Sequence, residues 1–304
     1  MRRLSVAATS AVGVFFAALL VPGFPLRAWI LSAVTGRAPF RGARLESPLA
    51  RPPGPPLRVV IGAMISPERT FVFYGDFFTE VAHRLGRPLE LLQRRTYQET
   101  NDLIARGEVD LAWICTGAWP QLRDEESARL LAVPVVAGRT TYHALLLAGP
   151  SSSVTKFDDL RGKRFAFTDP ISLTGCLYPR GLIVSAGRDP LGFFSSTVFT
   201  HGHDLSIEAV RRGIADGASV DSLVYEYLAR RFPSELEGVR VIGRSPSFPI
   251  PPLVVPALMP EAEAQQLMDE LIAFSCAAEG RSLLDELFIE GFAAPEPTLY
   301  AGLK

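Results

Sequence analysis

The sequence is poor in the residues on which most site chemistry is built. It holds three cysteines and four histidines in 304 residues. Cys115, Cys176 and Cys276 lie far apart and form no CxxC pair, so a zinc site is not expected. An odd count leaves at least one free thiol, and spacing alone assigns no disulfide, Cys176 with Cys276 included. A surplus of one charge is also missing: 31 Lys and Arg stand against 32 Asp and Glu, a net charge of -1. Proteins that hold nucleic acid by its phosphates carry a basic excess, so no nucleic-acid partner is expected. A small anion is a different case, because two or three local donors hold it on a neutral protein. No internal repeat is evident.

The 48 % hydrophobic and 21 % charged residues are a globular composition, with length enough for two modest domains. At the N-terminus, Arg2 and Arg3 precede an apolar stretch from Leu4 to Val21, broken by Pro22. A basic start followed by an apolar run reads as an export segment. No lipobox cysteine or small-x-small cleavage site precedes Pro22, and about 18 apolar residues is the short limit for a spanning helix. Residues 1–36 are therefore read as a signal peptide or a membrane anchor. The body is expected in the periplasm, tied to the inner membrane if the segment is retained. Residues 37–56, ending in Arg51-Pro52-Pro53-Gly54-Pro55-Pro56, read as a Pro-rich linker.

Beyond the linker, apolar runs alternate with helical spacing. Strands are expected at Leu57 to Ala63, Leu89 to Gln93, Val109 to Cys115 and Leu131 to Ala137. Helices are expected between them, at Phe71 to Leu85, Tyr97 to Arg106 and Ala118 to Leu130. This rhythm predicts a parallel sheet flanked by helices. A second unit follows, with strands at Tyr142 to Ala148, Arg164 to Thr168, Ser196 to Thr200, Ala218 to Val220 and Val239 to Ile242. Its helices are expected at Leu173 to Ala186, Asp204 to Gly213 and Asp221 to Arg231. A strand at Leu253 to Pro256 precedes a mostly helical end. The fold class is α/β: two lobes with a ligand cleft between them. Lobe 1 is read as 57–143 with 246–304, and lobe 2 as 144–245.

The chemistry gathers at strand-to-helix junctions, where ligands of open α/β sheets collect. In Thr168-Asp169-Pro170-Ile171-Ser172-Leu173-Thr174-Gly175 a strand ends and a helix begins. The free N–H groups of the helix start, with the hydroxyls of Ser172 and Thr174, can face an anion; the plain alternative is N-capping. At His201-Gly202-His203-Asp204 no third convergent ligand is evident, so Asp204 as a cap with one His facing the cleft is preferred to a metal site. At Cys115-Thr116-Gly117-Ala118-Trp119 the cysteine could be a nucleophile, but small core filler is the simpler reading. Ser66 and Tyr74 follow the first strand and add a fourth junction. Convergence of these junctions on one cleft would make an oxyanion site.

These residues resemble the phosphate/phosphite/phosphonate-binding proteins of ABC transporters, of the type II periplasmic binding fold. The likeness runs from about Leu57 to Glu290. It is carried by Arg161-Gly162-Lys163-Arg164-Phe165-Ala166-Phe167-Thr168-Asp169-Pro170, the Ser-x-Thr-Gly after it, His203-Asp204, Asp216-Gly217-Ala218 with Val220-Asp221-Ser222, and Ile250-Pro251-Pro252. The resemblance implies that Ser172, Thr174 and Gly175 hold the oxyanion, with His203 donating to an oxygen. It implies a ligand contact for Tyr74 and, for Asp221, contact with a ligand amino or hydroxyl group. Thr116 and Trp119 match a small polar residue and an aromatic wall. Ser66, Cys115 and His201 are further candidates. Leu173 departs from the Thr or Asn of many members, and Cys115 is reminiscent of arsenite-sensing relatives. The resemblance implies a binding protein and not an enzyme, with no cofactor and no metal, acting as a monomer. Its partner is implied to be an ABC permease or, alternatively, the sensor domain of a histidine kinase.

Overall fold

The computed structural model describes residues 54–150 and 152–303; the apolar N-terminal segment and most of the Pro-rich stretch lie outside them. β1 (Leu57–Ile61), β2 (Leu89–Gln93) and β3 (Leu111–Trp113) alternate with helices α1 (Pro67–Arg84) and α2 (Tyr97–Ala105). A 3-10 turn at Thr116–Ala118 leads into α3 (Trp119–Asp124) and then β4 (Ala128–Val135). Leu57, Val59, Val60 and Ile61 are all buried, as expected of a strand covered on both faces. β1 pairs in parallel with both β2 and β3.

The chain then crosses to a second sheet. β5 (Thr141–Tyr142) precedes β6 (Ala144–Ala148), β7 (Arg164–Phe167) and β8 (Ser196–Phe199), with α4 (Tyr178–Ser185) between the last two. α5 (His203–Arg211), β9 (Gly217–Asp221), α6 (Ser222–Arg231) and β10 (Arg240–Arg244) complete that unit. The sheet order is β10-β6-β9-β7-β8. Strand β7 shows how the sequence builds it. Phe165 and Phe167 pack on one face with Phe193, Phe194 and Ile183, while Ala166 turns to the other face, under Ile207 and Val210 of α5. Alternation of large and small side chains places a full aromatic layer on one side and lets the helix close in on the other.

The return crossing is β11 (Phe248–Pro249), which pairs antiparallel with β5 as a two-stranded ribbon. β12 (Leu253–Pro256) then inserts antiparallel between β3 and β4. Helices α7 (Glu261–Cys276) and α8 (Ala278–Glu286), strand β13 (Gly291–Ala293) and helix α9 (Pro297–Ala301) end the fold. The first sheet reads β13-β4-β12-β3-β1-β2.

Several expectations need correction. The helix after Thr116 stops at Asp124 and does not reach Leu130, because Glu126 takes a left-handed turn (φ 52°) and β4 begins at Ala128. Strand β3 has three residues where seven were expected. Tyr142 to Ala148 is two strands, split at His143, since Tyr142 pairs with β11 and Ala144 with β9. Leu173 to Ala186 is a π-helical turn, Leu173–Leu177, followed by α4. The C-terminal part also carries β13, whose three residues pair with β4. All three cysteines are free thiols, Cys115 and Cys176 buried and Cys276 exposed.

Because Phe165 is 1 % exposed and stacks on Phe194 at a ring distance of 4.2 Å, Phe165→Ala should destabilise the protein by about 3–5 kcal/mol, while Val198→Ala on the exposed side of β8 should change it by less than about 0.5 kcal/mol. Urea unfolding of the two variants checks this; equal effects would contradict the layer assignment.

Candidate functional site

Three junctions of the second sheet point their carboxyl ends at the first. After β7, Ser172 caps the π-helical turn, its Oγ accepting the Gly175 N–H at 3.0 Å. The turn is tight: a Cβ on Gly175 would lie 2.5 Å from Thr168 Oγ1 and 2.9 Å from Ser172 Oγ. Thr174 is fully buried, and its Oγ1 has no hydrogen-bond partner.

After β8, His203 opens α5 and its backbone N–H donates to the Met64 carbonyl of the first lobe at 2.8 Å. Its Nδ1 accepts the Asp221 backbone N–H at 3.1 Å and lies 3.0 Å from Thr168 Oγ1. An Nδ1 that accepts from an amide carries no proton, so the ring presents Nε2–H as its donor. Burial pushes the imidazole pKa down to about 3, which keeps the ring neutral. After β9, Asp221 caps α6 and accepts the Leu223 N–H at 2.6 Å.

The first lobe answers with hydroxyls. Tyr97, at the start of α2, donates its backbone N–H to Asp169 Oδ2 of the second lobe at 3.1 Å, while its buried phenol oxygen has no partner. The Tyr142 hydroxyl faces those of Thr116 and Thr174 but forms no hydrogen bond of sound geometry with either. Thr116 Oγ1 donates instead to the Pro249 carbonyl at 2.9 Å. The lobes touch closely here: a Cβ on Gly117 would fall 2.2 Å from the Ile171 carbonyl oxygen and 2.6 Å from the Leu173 nitrogen. The Leu173 and Gly117 amides and the Ser172 hydroxyl face the Cys115 sulfur, whose pKa burial pushes up to about 11.

The electrostatics of the site are dominated by burial. Burial raises the Asp221 carboxyl to about 7, against the pull of the Leu223 and Val224 amides. Burial, and then the negative field of Asp221, also raises the phenol of Tyr74; burial likewise raises Tyr97 and Tyr142 well above the ordinary phenol value. Three buried hydroxyls, on Tyr97, Tyr142 and Thr174, thus have donors to offer and no acceptor. Such a set suits a small ligand rich in acceptor oxygens. Among the described residues no group of three or more His, Cys, Asp and Glu could hold a metal ion.

Of the residues singled out in the sequence, the structure gathers Cys115, Thr116, Ser172, Thr174, Gly175, His203 and Asp221 around this seam. Tyr74 borders it through Asp221 and packs edge-on against Trp113 at 5.1 Å. Ser66 acts through its backbone, donating to the Asp204 carboxylate at 3.0 Å. That carboxylate does not cap α5, whose N-cap is Gly202. His201 sits in a left-handed turn (φ 58°) with its buried, unpaired Nδ1 3.8 Å from Asp169 Oδ2. Trp119 is buried in the first-sheet core and borders a surface depression with Arg123, Glu126 and Arg129; its backbone N–H donates to the Thr116 carbonyl. Tyr97, Tyr142 and Thr168 were not singled out. Tyr97 follows the β2-to-α2 junction, a strand-to-helix junction of the first lobe that was passed over, and position alone could have flagged it.

The sequence signature of the family described as "ABC transporter, phosphonate, periplasmic substrate-binding protein" matches residues 59–300. The chain is 25 % identical over 216 residues to the phosphonates-binding periplasmic protein of Escherichia coli (strain K12), an alignment covering 69 % of this chain and 64 % of that one. It therefore spans less than two thirds of that relative's length. Among solved structures, a binding protein component of an ABC phosphonate transporter from Pseudomonas aeruginosa superposes with a TM-score of 0.75 at 23 % identity, covering 79 % of this chain and 82 % of that one. PhnD1 from Prochlorococcus marinus (MIT 9301), in complex with methylphosphonate, superposes with a TM-score of 0.71 at 16 % identity, covering 80 % and 94 %. The shared fold is the two-lobed type II periplasmic binding fold.

The opposite shifts of Asp221 and His203 set a pH signature. The raised Asp221 adds stability below its ordinary value that is lost as pH rises to about 7; the depressed His203 adds stability above its ordinary value that is lost as pH falls toward about 3. Between about pH 4 and 6.5 the two offset each other. Asp221→Asn should therefore lose stability on acidification through that window, and His203→Gln should lose it on alkalinisation, each by up to about 1.4 kcal/mol per pH unit. Urea midpoints across the window check this, and variants that keep the parent's profile would contradict it.

Proposed function

The chain belongs to the phosphonate family of periplasmic substrate-binding proteins of ABC transporters, and we propose that it captures a small oxyanion of the phosphonate, phosphite or phosphate class between its lobes and delivers it to an ABC permease. The observation that carries this reading is the burial of the Tyr97, Tyr142 and Thr174 hydroxyls without acceptors at the seam between the lobes. Oxyanion oxygens would supply those acceptors. Beside them the Ser172 cap and the first N–H groups of the π-helical turn offer a second set of donors, and the His203 Nε2–H a third. Charge-assisted hydrogen bonds in a closed, dry seam are stronger than in water.

Capture proceeds by closure of the two lobes on the ligand. The lobes are those of 57–143 with 246–304 and of 144–245, and the hinge lies at Tyr142 to Leu146 and Val241 to Ser247, beside the β5–β11 ribbon. The contacts that join the lobes, Tyr97 to Asp169, His203 to Met64 and Ser66 to Asp204, support a closed form that needs no further partner. Residues 1–36 export the body to the periplasm, as a signal peptide or a membrane anchor, and residues 37–56 are the linker that follows. Binding without turnover fits the groups present: His203 is held neutral and bonded, and Cys115 is a buried thiol raised to about 11, poor as a nucleophile.

A thermal-shift series with methylphosphonate, phosphite, phosphate and arsenite tests the reading. Ser172→Ala with Thr174→Ala should abolish the ligand-induced rise in midpoint. Tyr97→Phe and Tyr142→Phe should each weaken binding roughly 10- to 100-fold, the worth of one hydrogen bond to a charged group. A rise left intact in the double variant would overturn the site.

A further inference from the structure

The amino end of α1 has no cap from its own segment. Ser66 stands at the cap position with no side-chain bond into the helix, and Pro67 after it has no N–H. The acceptor comes from the other lobe. Asp204, next to His203, takes the Ser66 backbone N–H on its two carboxylate oxygens, at 3.0 and 3.2 Å. Its Oδ1 also accepts the Leu205 N–H at 3.0 Å. Gly202 leaves room for this carboxylate, since a Cβ there would lie 2.8 Å from Asp204 Oδ1. One turn along α1, Arg69 crosses in the opposite direction. Its Nη2 lies 2.6 and 2.8 Å from the two Glu235 oxygens, its Nε lies 3.6 Å from Asp204 Oδ2, and its guanidinium covers the Phe232 ring at 5.3 Å. Its Nη1 is buried without a partner, so the hold on this cation comes from groups of the second lobe. Asp204 is only 6 % exposed, which leaves its charge little screened by water.

We infer that Asp204 and Arg69 are positioning residues for binding: they latch the two lobes together, and so set the affinity for every ligand while touching none. This rests on the lobe-closure reading given above. The hydroxyls of Tyr97, Tyr142 and Thr174 have no partner, so neither latch residue is bonded to them. When the lobes part, the Ser66 N–H loses its acceptor, and the 18-residue helix that carries Tyr74 loses the carboxylate at its positive end. Arg69 loses Glu235, Asp204 and Phe232 in the same movement. Only the closed form holds these contacts. A ligand that needs closed lobes has its affinity scaled by the fraction that is closed, so the latch multiplies all such affinities by one common factor. One residue away, the His203 N–H meets the Met64 carbonyl at 2.8 Å, so closing the latch also seats the imidazole.

Calorimetric titration and small-angle X-ray scattering of the whole protein test this. Asp204→Ala should raise the Kd of methylphosphonate and of phosphite by the same factor, roughly 5- to 30-fold, the range of a lost cap together with a charge pair. Without ligand the variant should scatter with a larger radius of gyration than the parent, and the two should coincide at saturating methylphosphonate. Asp204→Asn keeps an acceptor for the Ser66 N–H and should recover most of the loss. Glu235→Gln, at the half-buried end of the latch, should raise both Kd values roughly two- to fivefold, and it stands in for Asp204→Ala if that variant does not fold. A Kd within twofold of the parent's in Asp204→Ala, a loss confined to one ligand, or equal ligand-free radii would overturn the inference. If the parent binds neither ligand, the oxyanion reading falls and the ligand-free radii alone decide the latch.

Discussion

A hydroxyl buried without a partner costs about 1–3 kcal/mol, and this fold carries three of them at one seam, on Tyr97, Tyr142 and Thr174. Two belong to the first lobe and the ribbon, the third to the turn after β7. Bonds between the lobes surround the seam: Ser66 to Asp204, Tyr97 to Asp169, His203 to Met64 and Arg69 to Glu235. The arrangement is tensioned toward a guest that brings acceptors. What surrounds those hydroxyls, the capped turn, the neutral imidazole and the buried carboxyl, follows from that constraint.

The imidazole shows how far the orientation is determined. Asp221 fixes His203 through its backbone amide while its own side chain caps α6. One residue thus sets the tautomer of the histidine, starts a helix and places a carboxyl among the hydroxyls. Thr168, below them, is shared between His203 and Ser206.

Much of this was legible in the sequence wherever the signal is local. The Phe165-Ala166-Phe167 alternation marks β7 and its two faces, and Ser172 and Asp221 sit where a strand ends and a helix starts, as caps do. The illegible part is long-range. Tyr97 meets Asp169 across 72 residues and Ser66 meets Asp204 across 138, and no periodicity reports such meetings. Tyr142 looked like the first residue of one long strand, whereas pairing with Phe248 draws it into a ribbon of its own. The family resemblance matches Trp119 to an aromatic cleft wall, and in the fold its side chain is buried with the core of the first sheet. Strand β13 has three residues, too few for any pattern, and exists because β4 has an open edge to offer it.

The most direct test of the account is a crystal structure of the protein grown with methylphosphonate. The account predicts phosphonate oxygens within hydrogen-bond distance of the Tyr97 and Tyr142 hydroxyls and of Thr174 Oγ1, leaving none of the three without a partner. An anion bound elsewhere, or a complex in which those hydroxyls remain unpaired, would contradict it.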